Sequence, residues 1–125
     1  MHRSKLNAAL VDVPEDVYDA EVAFWSGVTG RAPEYDPDNP AYADFGQVVP
    51  GMQFMVQMVG AAARVHLDVE TDDVEAEVCR LEALGARRVG AVKSWWVMRD
   101  PAGLLFCVVR VQTGDVFATQ ATTWP

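Results

Sequence analysis

The sequence predicts an α+β fold in which one chain holds two βαβββ modules. Three observations predict it. Displaced by 56 residues, the chain matches itself without a gap: residues 11–23 (VDVPEDVYDAEVA) lie on residues 67–79 (LDVETDDVEAEVC), with Asp12/Asp68, Val13/Val69, Asp16/Asp72, Ala20/Ala76, Glu21/Glu77 and Val22/Val78 identical. Each copy passes from a short apolar run through acidic residues into a stretch with apolar residues at helical spacing. Beyond each helix come short strand candidates separated by turn residues. Two copies of a unit this long make a duplicated half-domain, because solenoid units are shorter and recur many times.

The elements follow in order. Residues 6–13 read as the first strand, and Val17, Ala20, Phe24 and Val28 as the apolar face of a helix that stops at Gly30. EYDPDNP is expected to be a loop, followed by strands over 42–49 and 52–59 around a Pro50-Gly51 turn. The second copy opens with a strand over 64–69. Asp72 with Glu75 three residues on has the spacing of a capping box, and acidic residues in a first turn suit the positive end of the helix dipole. Val74, Val78 and Leu81 fall at i, i+4 and i+7, and Gly85 supplies the stop. Strands over 86–92, 94–99 and 104–111 complete the copy. Asp100-Pro101-Ala102-Gly103 has Asp, Pro and Gly where a type I turn prefers them, between the last two strands.

With 125 residues and 13.7 kDa, the chain has the size of one ordinary domain. The expected division is a single domain over 1–125, with module one over about 5–60, module two over about 63–112 and a tail over 113–125. Ten Lys and Arg against 18 Asp and Glu give a formal charge of -8, a field that repels phosphate backbones and anionic headgroups, so neither nucleic acid nor membrane is an expected partner. Cys79 and Cys107 have no zinc-type spacing and are expected to be reduced and buried. The apolar run near the N-terminus is too short for a signal peptide and no segment is long enough to span a bilayer, which predicts a cytoplasmic protein. Trp124, in the tail, is expected to dock on a partner subunit or to fray.

AFWSGVTG after the first strand, FMVQMV ending the first half, RVHLDVETDDVEAEVCRLEALGA and WWVMRDPAGLLFCVV together resemble the vicinal oxygen chelate superfamily, which includes glyoxalase I, bleomycin-resistance proteins and extradiol dioxygenases, and in particular its small glyoxalase-like branch. The resemblance implies curled mixed sheets, one per module, around a shared cup. In metal-dependent members four cup positions carry His or Gln, Glu, His and Glu. His66 matches the histidine that opens the second half. Leu10 stands at its repeat-related position, Gln57 or Met55 at the first carboxylate position, and Cys107 at the last. Leucine cannot ligate, and one imidazole with a thiol and an amide is a poor set for such a site, so neither metal nor cofactor is expected.

Strand alternation puts His66 and Asp68 on one face, and the repeat puts Leu10 and Asp12 on the equivalent face of the first module. Two readings stay open: the acids and the imidazole satisfy one another as structural polar groups, or Asp12 or Asp68 orients His66 as a base. Trp95 and Trp96, adjacent in a strand, must face opposite ways, so one of them can wall a ligand site. Cys107 reads as core rather than nucleophile. The expected function is binding of a small organic molecule, planar or cationic, by a metal-independent isomerase, epimerase or lyase that uses His66 as base. The alternative is a non-catalytic drug or metabolite binder of the bleomycin-resistance kind. A homodimer is expected, because uncovered sheet edges are a liability.

Overall fold

A computed structural model describes all residues of the chain, Met1–Pro125. Two compact units form, one of residues 8–66 and one of residues 1–7 with 67–125. The chain passes between them inside two strands, β1 (His2–Val13) and β5 (Arg64–Thr71).

In the unit of residues 8–66, β1 leads through a 3₁₀ turn (Glu15–Val17) into α1 (Tyr18–Thr29), then β2 (Glu34–Asp36), β3 (Asn39–Asp44) and β4 (Gln53–Met58), with strand order β2-β3-β4-β1. β1 and β4 run parallel, and the other neighbours antiparallel. The buried stripe of α1 is Tyr18 and Val22 with Trp25 beside them, packed on Val13, Ala43, Phe45 and Val56. This corrects the expected face: Phe24 and Val28 are each 58% exposed and Val17 is exposed too. Both stripes fit a period of 3.6, and the sheet takes the one carrying Tyr18 and Trp25, the indole of Trp25 packing edge-on against Phe54. EYDPDNP is not a loop. It forms the β2-β3 hairpin, with the Asp36 carboxylate accepting from the Asp38 N–H at 2.9 Å. The strand expected over 42–49 begins and ends earlier, as Asn39–Asp44.

The other unit repeats the plan with β5, α2 (Val74–Ala83), β6 (Arg87–Val92), β7 (Trp95–Arg99) and β8 (Leu105–Arg110), in the order β5-β8-β7-β6 with β5 and β8 parallel. The α+β class and the two mixed-sheet βαβββ modules therefore stand. Val78 is fully buried against Met98 and Val108, with Val74 and Leu81 at its flanks, as the spacing predicts. The N-cap lies one residue later than expected: the Asp73 side chain accepts from the Ala76 N–H at 3.0 Å. Asp72 is instead held by Arg3, whose backbone N–H donates at 2.7 Å and keeps that carboxyl below the usual carboxylate range. The Asp100–Gly103 turn forms as read, Gly103 taking φ +90°.

The tail forms α3 (Asp115–Gln120) and β9 (Thr122–Trp124), which pairs antiparallel with the start of β1. Trp124 neither frays nor stands exposed. Its Nε1–H donates to Ser4 Oγ at 2.8 Å, and the Arg80 guanidinium lies 3.8 Å from the centroid of its ring. Beneath it, fully buried Glu77 accepts from Arg80 Nε at 2.6 Å and pairs with His2 Nε2 at 2.9 Å. Burial alone would raise the Glu77 carboxyl, but hydrogen bonds from Arg80, Ser4 and His2 outweigh it and hold it below its ordinary value. No helix is long and apolar enough to cross a membrane.

Candidate functional site

Register across three strands assembles a polar row in the unit of residues 8–66. Asp12 on β1 is the Cα partner of Gln57 on β4, and Gln57 is the partner of Tyr42 on β3. Paired residues share a face, so the three side chains lie side by side on the sheet face opposite Val11, Val56 and Ala43, which pack towards α1. Gln57 Nε2–H donates to the Tyr42 hydroxyl at 2.9 Å. One step back along the strands, Leu10 pairs with Met55, and Met55 with Asp44.

At the other end of the row stands His66. Its Nδ1 lies 2.6 Å from Asp12 Oδ2, and Arg64 Nε donates to the same oxygen at 3.1 Å. The Asp12 carboxylate is fully buried, the His66 side chain is 11% exposed and that of Arg64 is 43% exposed. A buried carboxylate is tolerable only when paired, and here two nitrogen groups converge on it. The contact also fixes the imidazole: with Nδ1 committed to the carboxylate, exchange of a proton falls to Nε2. Asp12 is one of the two aspartates that strand parity offered as partners. Arg64 and Tyr42 were missed. Arg64 was visible two residues before His66 on the same face, whereas Tyr42 is placed by cross-strand register, which leaves no mark in the sequence.

β1 and β4 both end one register pair beyond Asp12 and Gln57, at Val13 and Met58. Immediately past those carboxyl ends a mostly apolar cleft of about 450 Å³ opens between Pro14, Glu15, Met58 and the Gly60–Ala62 segment.

In the unit that contains α2, Asp68 is the Cα partner of Cys107 and Cys107 of Val97. The Asp68 and Cys107 donor atoms lie within 4.8 Å of each other. The pairs Asp12/Gln57 and Asp68/Cys107 are thus equivalent in register, which makes Gln57 rather than Met55 the counterpart of Cys107. Trp96 pairs with Val108 and packs on the α2 side, so it joins the core rather than a ligand wall. Trp95 is left on the opposite face with Cys107. Both cysteines are free, and Cys79, expected to be buried, is exposed, with its Sγ 3.6 Å from an Arg88 nitrogen.

Two of the family's four metal positions do not fit a metal: Leu10 offers no ligand atom, and a thiol stands at the final carboxylate position.

Comparison with protein families matches the glyoxalase-like domain over residues 8–109. A search of curated proteins finds no match. Among solved structures, a Mn(II)-bound glyoxalase from Novosphingobium aromaticivorans is similar, with TM-score 0.61 and 22% identity over 88% of this chain and 40% of that one. A methylmalonyl-CoA epimerase in complex with methylmalonyl-CoA and NH4+ has TM-score 0.59 and 14% identity over 89% and 96%. A structure described as an NAD-dependent benzaldehyde dehydrogenase from Legionella pneumophila has TM-score 0.64 and 13% identity over 85% and 99%. At these identities the likeness is one of fold.

Proposed function

The chain belongs to the glyoxalase-like domain family, within the vicinal oxygen chelate superfamily, and from that premise we propose that it is a metal-independent isomerase, epimerase or lyase acting on a small carbonyl compound. His66 takes and returns a proton through Nε2, and Asp12 is a positioning residue that fixes the tautomer and stabilises the imidazolium while the proton is held. The observation that carries this is the 2.6 Å contact between His66 Nδ1 and a fully buried carboxylate. A base needs both a defined lone pair and a counter-charge, and the contact supplies the two together.

The chemistry needs a substrate whose C–H is acidified by a neighbouring carbonyl. Removing that proton gives an enolate, and returning it to the other face or to another atom gives the epimer or isomer. Loss of a β-leaving group from the enolate gives the lyase outcome. The Tyr42–Gln57 pair stands in the same row and offers donors to an enolate oxygen. The charge of -8 favours a neutral or cationic substrate. A cytoplasmic homodimer accords with free Cys79 and Cys107 and with the exposed stripe of Val17, at the end of the 3₁₀ turn, and Phe24 and Val28 on α1.

One observation favours the non-catalytic reading: Arg64 shares the Asp12 oxygen, which makes the cluster an ion triad that would hold the fold without chemistry. The test is deuterium uptake from D2O at the carbon next to the carbonyl, in small neutral 2-hydroxyketones. The expected result is exchange that His66→Gln slows by about 10²–10⁴-fold with affinity retained. Binding without exchange returns the protein to sequestration, and exchange indifferent to His66→Gln removes His66 as the base.

A further inference from the structure

The cleft of about 450 Å³ beyond the ends of β1 and β4 has no part in the proton-transfer reading. Met58, in its wall, packs with Val13 in the core beneath α1, whereas Asp12 and Gln57, the residues grouped with His66, take the opposite face of the same two strands. The cleft therefore opens on the helix side of the sheet, away from the base.

The internal repeat shows what such a place holds. In each unit the chain leaves the second strand of a parallel pair and passes the end of the first, from β4 past β1 and from β8 past β5. After β8 the passage is long. Glu70, 56 residues beyond Pro14, accepts from the backbone N–H groups of Gln112 and Thr113 at 2.7 and 3.0 Å. The segment then buries the ring of Phe117, which is 3% exposed and has the Arg3 guanidinium 5.0 Å from its centroid. After β4 the passage is only Val59-Gly60-Ala61-Ala62-Ala63, which carries no ring. Pro14 and this short segment line the cleft, so it stands where the other unit seats an aromatic side chain. Packing within the chain does not demand so small a residue as Gly60, since a Cβ built there would meet nothing within 4 Å.

Charge narrows the ligand. Glu15 is exposed and lines the cleft, and Asp16, Asp19 and Glu21 follow in the first turns. Together they outweigh the roughly half a unit of positive charge at a helix N-terminus. A ring that enters from solution gains from carrying a cation, held as an exposed ion pair with Glu15.

We propose that this cleft binds a small aromatic amine, its ring against Pro14, Met58 and Ala61 and its ammonium towards Glu15. The site uses none of the residues of the proton-transfer reading and is independent of it.

Tryptamine and indole-3-propionate carry the same ring on the same two-carbon chain with opposite charges, and they are the probes. In ¹H–¹³C methyl spectra of the full chain, tryptamine is expected to move the Met58, Ala61 and Ala62 methyl resonances at concentrations about tenfold lower than indole-3-propionate requires. Glu15→Gln, an exposed substitution, is expected to weaken tryptamine about two- to fivefold and to narrow the gap between the two ligands. Ala61→Phe supplies the missing ring from the chain itself and is expected to abolish the tryptamine shift at Met58 while the melting temperature holds or rises. Three results overturn the proposal: cleft methyls indifferent to tryptamine up to its solubility limit, tryptamine binding no tighter than indole-3-propionate, or a folded Ala61→Phe protein that binds tryptamine as before. If Ala61→Phe does not fold, Glu15→Gln decides, and an unchanged tryptamine affinity is then the contradicting result. The His66→Gln protein should bind tryptamine as the wild type does, which separates failure here from failure of the catalytic reading.

Discussion

The two modules share a backbone plan and divide at the side chains. Residues 56 apart, Asp12 and Asp68, occupy the same register position on β1 and β5, each opposite a β-strand that runs parallel to it. Asp12 is fully buried and gathers an imidazole and a guanidinium, whereas Asp68 is half-buried beside a thiol. The helices part in the same way. Glu21 of α1 is half-buried, while its repeat partner Glu77 of α2 is fully buried under His2, Arg80 and the returning tail. Duplication preserved strand order and the parity of faces, which are set by hydrogen bonding between backbones, and left the polar residues to be settled by what each module must hold.

The largest expected difference is at the glutamates. Glu77→Ala leaves Arg80 and His2 without their buried partner, so urea unfolding should show a loss of about 3–5 kcal/mol, against about 0.5 kcal/mol or less for Glu21→Ala. Equal effects would mean that the buried network around α2 does not distinguish the modules. Acid sharpens the same contrast. The Glu77 pKa is depressed in the folded state, so its contribution is present above the unfolded carboxyl value of about 4.3 and disappears as pH falls through the lower folded value. The loss of stability on acidification below that point should be shallower in Glu77→Gln than in the wild type.

A smaller effect separates the aspartates. Asp12→Asn should slow proton exchange about a hundredfold or more by removing the orienting charge, and Asp68→Asn should slow it less. Exchange rates measured for both variants on the same carbonyl probes check this, and an Asp68 effect as large as that of Asp12 would relocate the orienting acid.

How much of this was legible in the sequence follows from the same division. The repeat, the β-α-β-β-β order, the Val78 stripe, the Asp100–Gly103 turn and the place of His66 could all be read, because periodicity, turn chemistry and strand parity are local. The outer stripe of α1 was mistaken for its buried one because Val17, Ala20, Phe24 and Val28 recur with the helical period just as Tyr18, Val22 and Trp25 do, and the sheet below decides between them. β2 was hidden because Asp36, Pro37 and Asp38 signal a turn, and its flanking strands are short. Tyr42, the contact of Asp12 with His66, the docking of Trp124 and the burial of Glu77 depend on long-range register, which a single sequence does not record.

The central claim is that Asp12 sets the protonation geometry of His66. Long-range ¹H–¹⁵N correlation of the imidazole, followed over pH in the wild type and in Asp12→Asn, tests it directly. The neutral ring of the wild type should carry its proton on Nδ1, with Nε2 as the basic nitrogen, and the Asp12→Asn ring should lose that preference. A neutral wild-type ring protonated on Nε2, or a tautomer that Asp12→Asn leaves unchanged, would contradict the account.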